Sequence, residues 1–149
     1  MTFRKINILL ADDDKDDCLF FKEALEELEL TTQLTTVHNG EQLMLLLEKK
    51  SNEIFDVLFL DLNMPRKSGF ECLNEIKRSE KLQLLPVVVL STSCVNSIAE
   101  RLYEYGVQHY FCKPSSYSEL KKLIQNTLTL VAQINRAQPP IKTCLLKYK

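Results

Sequence analysis

Short continuous apolar runs alternate along the chain with longer stretches in which apolar residues recur every three or four positions. The runs are typical of strands buried on both faces, and the recurrence is typical of helices with one buried face. Five strands and five helices in strict alternation predict an α/β fold, a doubly wound parallel sheet with helices on both faces. The predicted strands span 5–11, 34–38, 56–60, 85–91 and 107–112. The predicted helices span 16–30, 41–50, 70–79, 96–105 and 116–137.

Residues at the ends of these segments predict where the helices begin and end. Asp16 or Asp17 can cap the first helix, because a carboxylate accepts hydrogen bonds from the free N–H groups of the first turn. Ser116 or Ser118 can do the same for the last helix. Gly106 is placed to end the fourth helix, since glycine adopts the left-handed conformation that closes many helices.

Length and charge narrow the class of protein. A chain of 149 residues, 45% hydrophobic and 26% charged, fits one soluble globular domain. Pro139-Pro140 is expected to end the last helix, so we assign the domain to residues 1–137 and a short tail to 138–149. The net charge of −1 offers no basic excess for nucleic acid, and no apolar run is long enough to cross a bilayer.

The cysteines and the first residues favour a cytoplasmic location. The N-terminal segment lacks the pattern of a secretory signal, and no two of the five cysteines have CxxC spacing. Three cysteines lie among apolar residues and are expected to be small buried hydrophobes in a reducing compartment. They are Cys18, Cys72 and Cys112.

Residues that can carry chemistry stand at the carboxyl ends of four predicted strands. They are Asp12 with Asp13, Asp61, Ser91 and Lys113. Because the carboxyl ends of parallel strands meet at one edge of the sheet, these groups are expected to lie together. Carboxylates from two strands, with a backbone carbonyl, suit a hard divalent cation such as Mg²⁺. A cation would also help clustered acids to remain ionised together.

The same groups fit phosphoryl chemistry. A carboxylate oxygen can attack phosphorus and form an aspartyl phosphate. A cation and a lysine ammonium would neutralise charge on the transferring group, and a small hydroxyl could donate a hydrogen bond to it. The strand ends therefore predict a divalent cation held beside a phosphorylated carboxylate.

Four segments, in order along the chain, resemble the motifs of response-regulator receiver domains, the phosphorylated switches of two-component signalling. They are ILLADDD, LFLDLNMPRKSG, PVVVLSTS and HYFCKP, and the resemblance covers about residues 5–134. It implies a flavodoxin-like sheet with strand order 2-1-3-4-5, the order of a chemotaxis member of that family.

The resemblance also implies a metal set and a phosphoacceptor. Asp61 would accept the phosphoryl group. Asp12, Asp13 and Asp61 would hold Mg²⁺, and the backbone carbonyl of Asn63 would complete the protein ligands.

Three further residues would form the switch that the resemblance implies. The Ser91 hydroxyl would turn toward the phosphoryl group, Tyr110 would move inward behind it, and Lys113 would pair with the phosphate. The Lys113–Pro114 peptide would be cis, as is usual in the family.

Function is then expected to be that of a stand-alone response regulator in a phosphorelay, with no enzymatic activity beyond its own self-catalysed phosphorylation and dephosphorylation. The phosphodonor would be a histidine kinase or a phosphotransfer protein. The segments ILLADDDKDD and VVVLSTS further resemble those of single-domain regulators that partner phytochrome-type and hybrid histidine kinases. Output would pass to an unidentified protein target, with no nucleic acid or membrane partner.

A homodimer through the last helix and the tail is a further hypothesis. Four apolar residues of this helix exceed what one core needs, and CLLKY in the tail adds more. They are Leu128, Leu130, Val131 and Ile134.

Two positions depart from the usual family pattern. Thr92 follows Ser91 where many members have alanine or glycine, and we hypothesise that its β-branched side chain slows entry of the phosphodonor or of water. Asp14 is a third acid beside the pair, and capping of the first helix is an alternative to metal contact.

Two other functions are alternatives to that of a phosphorylated receiver. A small phosphatase of the haloacid-dehalogenase type would use Asp12 as its nucleophile, because Asp12-x-Asp14 follows a buried strand. A receiver-like module that is never phosphorylated would keep only the fold and its protein contacts. The first would carry phosphate on Asp12 and the second would carry none.

Overall fold

The computed structural model describes residues 5–49, 55–92, 96–105, 107 and 109–134. Strands and helices alternate in this part of the chain, as the apolar pattern predicts. The strands are β1 (Ile6–Ala11), β2 (Thr32–Val37), β3 (Val57–Asp61), β4 (Val87–Ser91) and β5 (His109–Cys112). The helices are α1 (Lys15–Glu26), α2 (Gly40–Lys49), α3 (Gly69–Arg78), α4 (Asn96–Glu104) and α5 (Tyr117–Ile134).

The five strands form one parallel sheet in the order β2-β1-β3-β4-β5. This confirms the predicted fold class and the strand order. β3 and β4 are buried along their whole length, in agreement with their continuous apolar sequences. β2 stands at the edge of the sheet, and its sequence is more polar.

Side chains of the central strands alternate between two hydrophobic clusters. Leu9 and Ala11 of β1 pack with α2, α3 and α4 on one face of the sheet. Ile8 and Leu10 pack with α1 and α5 on the other. Because successive residues of a strand point to opposite faces, one continuous apolar run supplies both halves of the core.

The caps of two helices decide between alternatives that the sequence left open. Asp14, and not Asp16 or Asp17, caps α1, because its side chain accepts hydrogen bonds from the N–H groups of those two residues. Ser116 caps α5 by accepting from the N–H of Glu119. α1 ends at Glu26, earlier than the predicted Leu30. The chain then forms a tighter turn, with hydrogen bonds to carbonyls three residues back, before β2 begins. Gly106 lies outside the described residues.

Part of the surface proposed for a homodimer belongs to the core. Leu128 and Val131 are 0% and 1% exposed and pack against α1 and the sheet, so they offer no apolar surface to a second copy. The sequence could not separate them from a surface stripe, because an 18-residue helix carries apolar residues on more than one face. The tail and the side chain of Ile134 lie outside the described residues.

The cysteines follow the prediction at two positions. Cys18 and Cys72 are buried free thiols, and burial raises the pKa of each to about 12. Cys112 is disulfide-bonded, so its expected role as a free buried hydrophobe is wrong. Spacing along the sequence gives no signal for a disulfide at this position. Among the described helices, none has the length and apolar character to cross a membrane.

His109 of β5 predicts an acid-sensitive stability. The side chain is 4% exposed, it stacks on Phe111, and burial lowers its pKa below the ordinary value of 6.5. As pH falls through that value the unfolded chain takes up a proton before the folded protein does, so the free energy of unfolding falls. The expected slope is at most about 1.4 kcal/mol per pH unit for one proton.

The measurement is urea unfolding of the wild type and of His109→Leu at several values between about pH 7.5 and about pH 5.5. The wild type should lose stability relative to the variant as pH falls. Parallel pH profiles for the two proteins would show that His109 does not titrate on unfolding.

Candidate functional site

The predicted site residues meet at the carboxyl edge of the sheet. β3 ends at Asp61 and β4 ends at Ser91, and the parallel register places Asp61 beside Leu90 and Ser91 beside Cys112. Asp12 directly follows β1, and Lys113 directly follows β5. Four strands therefore deliver their terminal polar groups to one place, as the geometry of a parallel sheet requires.

Three carboxylates form the centre of the site. Asp12 and Asp61 are 3% and 5% exposed, whereas Asp13 is exposed. One carboxylate oxygen from each of the three lies within 4.8 Å of the others. Oxygen ligands from the ends of two strands at this spacing fit a hard divalent cation, with waters in its remaining coordination positions.

Asp12 is held from both its side chain and its backbone. Its Oδ1 accepts a hydrogen bond from the N–H of Asp14 at 3.0 Å. Its backbone carbonyl lies 3.4 Å from Cys18 Sγ and 3.2 Å from His38 Nδ1. His38, which directly follows β2, is half-buried and supplies the second of these contacts.

Lys113 joins the acids of two strands to helix α1. Its Nζ lies 3.0 Å from Asp12 Oδ2, 2.8 Å from Asp17 Oδ2 and 3.6 Å from Asp61 Oδ2. Burial opposes the charge on the ammonium, but hydrogen bonds to Asp17 and Asp12 outweigh burial and hold the Lys113 pKa above its ordinary value. Lys113 therefore stays charged beside the acids.

The contact of Asp17 is one that the sequence interpretation missed. Asp17 was considered only as a helix cap, yet its side chain reaches Lys113 from the first turn of α1. The available signal was its position in the first turn of the helix that directly follows the acids at the end of β1.

Asp61 is a buried carboxylate whose unfavourable burial is partly offset by neighbouring groups. Burial raises its pKa to about 6, and Asp12 adds to the rise. Lys113 and the N–H of Asn63, which donates to Asp61 Oδ1 at 3.1 Å, act in the opposite direction. At neutral pH the group is mostly ionised, as a nucleophilic carboxylate must be.

Ser91 and Tyr110 are both inside the protein. Ser91 is 1% exposed and Tyr110 is 5% exposed, and their side chains share a hydrogen bond. Burial raises the pKa of Tyr110, so its hydroxyl stays protonated. The inward position that was expected for Tyr110 only after phosphorylation is thus already taken up here.

The backbone beside Lys113 differs from one expectation. No peptide bond among the described residues is cis, so the Lys113–Pro114 bond is trans and the expected cis bond is wrong. A bond before proline has only a small preference between the two forms, and the sequence therefore does not decide it.

The loop after Asp61 is fixed by close backbone packing. The N–H of Gly69 donates to the carbonyl of Leu62 at 2.9 Å, and Ser68 and Glu71 form a reciprocal cap at the start of α3. A Cβ on Gly69 would lie 2.5 Å from the Asp61 carbonyl oxygen. This contact explains why glycine stands here and ties the position of Asp61 to α3.

An apolar cavity of about 260 Å³ opens beside the acids. Phe20 and Phe21 of α1 line one side, and Pro114 and Leu120 line the other, with Asp17 and Lys113 at the end near the site. Phe20, which lines the cavity, is 50% exposed, and its neighbour in sequence Leu19 is 53% exposed. The apolar surface is therefore continuous with the charged centre.

Comparison with known proteins gives a consistent result. Residues 8–125 match the model of the family described as response regulator receiver domain. The probable methanogenesis regulatory protein FilR2 of Methanothrix harundinacea is 32% identical over 136 residues, which cover 89% of this chain and 88% of that protein. Response regulator Rcp1 of Synechocystis is 33% identical over 122 residues, covering 79% of this chain and 83% of that protein.

Two solved structures are similar over most of the chain. The Mn²⁺-bound form of Rcp1 has a TM-score of 0.74 at 32% identity and covers 83% of this chain and 92% of its own. The phosphorylated cyanobacterial phytochrome response regulator RcpA has a TM-score of 0.80 at 30% identity and covers 93% of this chain and 100% of its own.

Proposed function

Since this chain belongs to the receiver-domain family of response regulators in two-component signalling, we propose that Asp61 accepts a phosphoryl group from a histidine kinase or a phosphotransfer protein. The observation that carries the proposal is the position of Asp61. Its carboxylate is buried at the strand edge, within 4.8 Å of two other acids and 3.6 Å from the Lys113 ammonium. A nucleophilic carboxylate, acids that can hold a cation and a positively charged lysine are thus adjacent.

The receiver family binds divalent metal, and the residues of this chain fit Mg²⁺. Asp12, Asp13 and Asp61 would hold the ion, with the backbone carbonyl of Asn63 as a further ligand. Bound there, Mg²⁺ would neutralise charge on the transferring phosphoryl group. The Mn²⁺-bound form of Rcp1 supports a divalent ion of this kind.

In the proposed transfer, an oxygen of Asp61 forms a bond to phosphorus while the phosphorus–nitrogen bond of the donor phosphohistidine breaks. Lys113 faces the Asp61 carboxylate and can donate an N–H to a phosphoryl oxygen. Hydrolysis of the aspartyl phosphate then returns the carboxylate. No other activity is proposed for the chain.

Ser91 and Tyr110 would relay the new charge away from Asp61. A hydroxyl both donates and accepts, so Ser91 can donate to a phosphoryl oxygen while it accepts from Tyr110. Because Tyr110 is already inward, we infer that phosphorylation stabilises this arrangement and selects it among alternatives. The readout surface would be the face around 92–118 together with α5.

The cavity and the exposed Leu19 and Phe20 mark the side from which we expect the phosphodonor to approach. The name of RcpA as a phytochrome response regulator supports a sensor kinase of that type as the donor. The phosphatase alternative is not favoured, because Asp14 caps α1 and Asp12 pairs with Lys113. A homodimer would have to use surface other than Leu128 and Val131.

The metal requirement supplies the test of this function. With acetyl phosphate as donor, the intact mass should rise by one phosphoryl group in Mg²⁺ and stay unchanged in EDTA. Asp13→Asn should raise the half-saturating Mg²⁺ concentration at least about tenfold, since it removes one charged ligand. Asp14→Asn is the matched control, because asparagine keeps the cap while the same charge is lost. Equal labelling in EDTA, or equal effects of the two variants, would contradict the proposed site.

A further inference from the structure

We propose that Asp17 is a positioning residue that competes with the phosphoryl group for the Lys113 ammonium, and so limits how tightly the phosphorylated state is held. The inference rests on the proposed function and extends it to a residue outside the metal and acceptor set. The contact that carries it is the 2.8 Å hydrogen bond from Lys113 Nζ to Asp17 Oδ2.

The geometry gives Asp17 the shortest of three acid contacts to one ammonium. Asp12 lies at 3.0 Å and Asp61 at 3.6 Å, beyond hydrogen-bond distance. Lys113 is thus held toward α1 and Asp12 in this state. It has three N–H donors and a side chain that is 16% exposed, which confines where the ammonium can go.

Asp17 also differs from Asp12 in its relation to the cation. Asp12 belongs to the group of acids that can hold a metal ion, and Asp17 does not. A cation held by that group would share the oxygens of Asp12, and Asp17 would then be the acid whose charge is left entirely to Lys113. The strength of this remaining pair then opposes the transfer of Lys113 to a new acceptor.

A phosphoryl group on Asp61 is such an acceptor. It brings close to two negative charges and three acceptor oxygens to within reach of Lys113. Asp17 opposes binding of Lys113 to the phosphoryl group in two ways. It retains the Lys113 ammonium, and its own negative charge repels the phosphoryl group. Removing the charge of Asp17 should therefore strengthen the phosphorylated state, whereas removal of a merely structural contact would weaken it.

The test uses beryllofluoride as a stable mimic of the phosphoryl group, with the full chain at saturating Mg²⁺. Asp17→Asn should bind it about three- to fivefold more tightly than the wild type, the upper part of the range expected for loss of one partly exposed ion pair. Asp17→Glu restores the charge and should return the affinity toward the wild-type value. Urea unfolding of each variant checks that the fold is retained.

Asp16→Asn is the matched control. Asp16 lies in the same first turn of α1 and has the same charge, and its backbone N–H donates to Asp14 Oδ1 at 2.9 Å, away from Lys113. Its affinity for beryllofluoride should stay within about twofold of the wild type, since an exposed charge at this distance is screened. An Asp17→Asn affinity that is unchanged, weaker, or raised only as much as by Asp16→Asn overturns the inference. A wild type that binds no beryllofluoride contradicts the proposed function itself, and this inference with it.

Discussion

Asp61→Asn is expected to gain no phosphoryl group from acetyl phosphate or from a phosphorylated kinase. Asparagine has nearly the same shape and still accepts from the N–H of Asn63, so the site keeps its geometry. It lacks a carboxylate oxygen that could attack phosphorus, and Asp12 and Asp17 are instead bonded directly to the Lys113 ammonium. Intact mass spectrometry in Mg²⁺ measures the result.

The same variant should be more stable than the wild type at neutral pH in the absence of a divalent cation. Burial raises the Asp61 pKa from 3.8 to about 6, so the folded protein disfavours the charged carboxylate. Stability is then lost as pH rises from the unfolded value through the folded one, and asparagine avoids that loss. A gain of about 1–3 kcal/mol in the free energy of unfolding is expected near pH 7. Asp14→Asn, at an exposed cap, should change neither labelling nor stability appreciably. A labelled Asp61→Asn protein would contradict the assignment.

Gly69→Ala is expected to lower the free energy of unfolding by about 2–4 kcal/mol. The new Cβ would lie 2.5 Å from the carbonyl oxygen of Asp61 and 2.6 Å from Cα of Leu62, and both are backbone atoms. Relief requires the start of α3 to move away from the end of β3, which strains the hydrogen bond from Gly69 to Leu62. Urea unfolding measures this loss.

The displacement should also slow phosphorylation, because Asp61 is part of the backbone that must move. The rate of labelling by acetyl phosphate in Mg²⁺ is expected to fall at a temperature where Gly69→Ala is still folded. Arg78→Ala, at an exposed position of the same helix, is the control and should affect neither quantity strongly. Wild-type stability and labelling for Gly69→Ala would show that the two elements are not packed as closely as described.

The parallel arrangement of the strands and the meeting of the polar groups could be predicted because both follow from one rule, whereas the strand order came from the family resemblance. Fully apolar runs alternating with amphipathic helices force a parallel sheet, and a parallel sheet brings its carboxyl ends together. The placement of Asp12, Asp61, Ser91 and Lys113 therefore needed only the sequence positions of the strand ends. The structure confirms that the four come together.

Features that depend on side-chain choice could not be predicted in this way. Three acids in sequence could each cap α1, and only the backbone geometry selects Asp14 and leaves Asp17 to reach Lys113. Tyr110 could lie inward or outward without any change in the strand pattern. Leu128 and Val131 looked like surplus apolar surface because the helical repeat does not say which face the sheet covers.

The most direct measurement of the central claim is the position of the phosphoryl group in the wild-type protein. After reaction with acetyl phosphate in Mg²⁺, borohydride reduction converts the phosphorylated aspartate to homoserine, and peptide mass spectrometry locates it. Our account predicts conversion at Asp61 and none at Asp12 or Asp13. Conversion at Asp12, or no Mg²⁺-dependent conversion with either acetyl phosphate or a kinase, would contradict it.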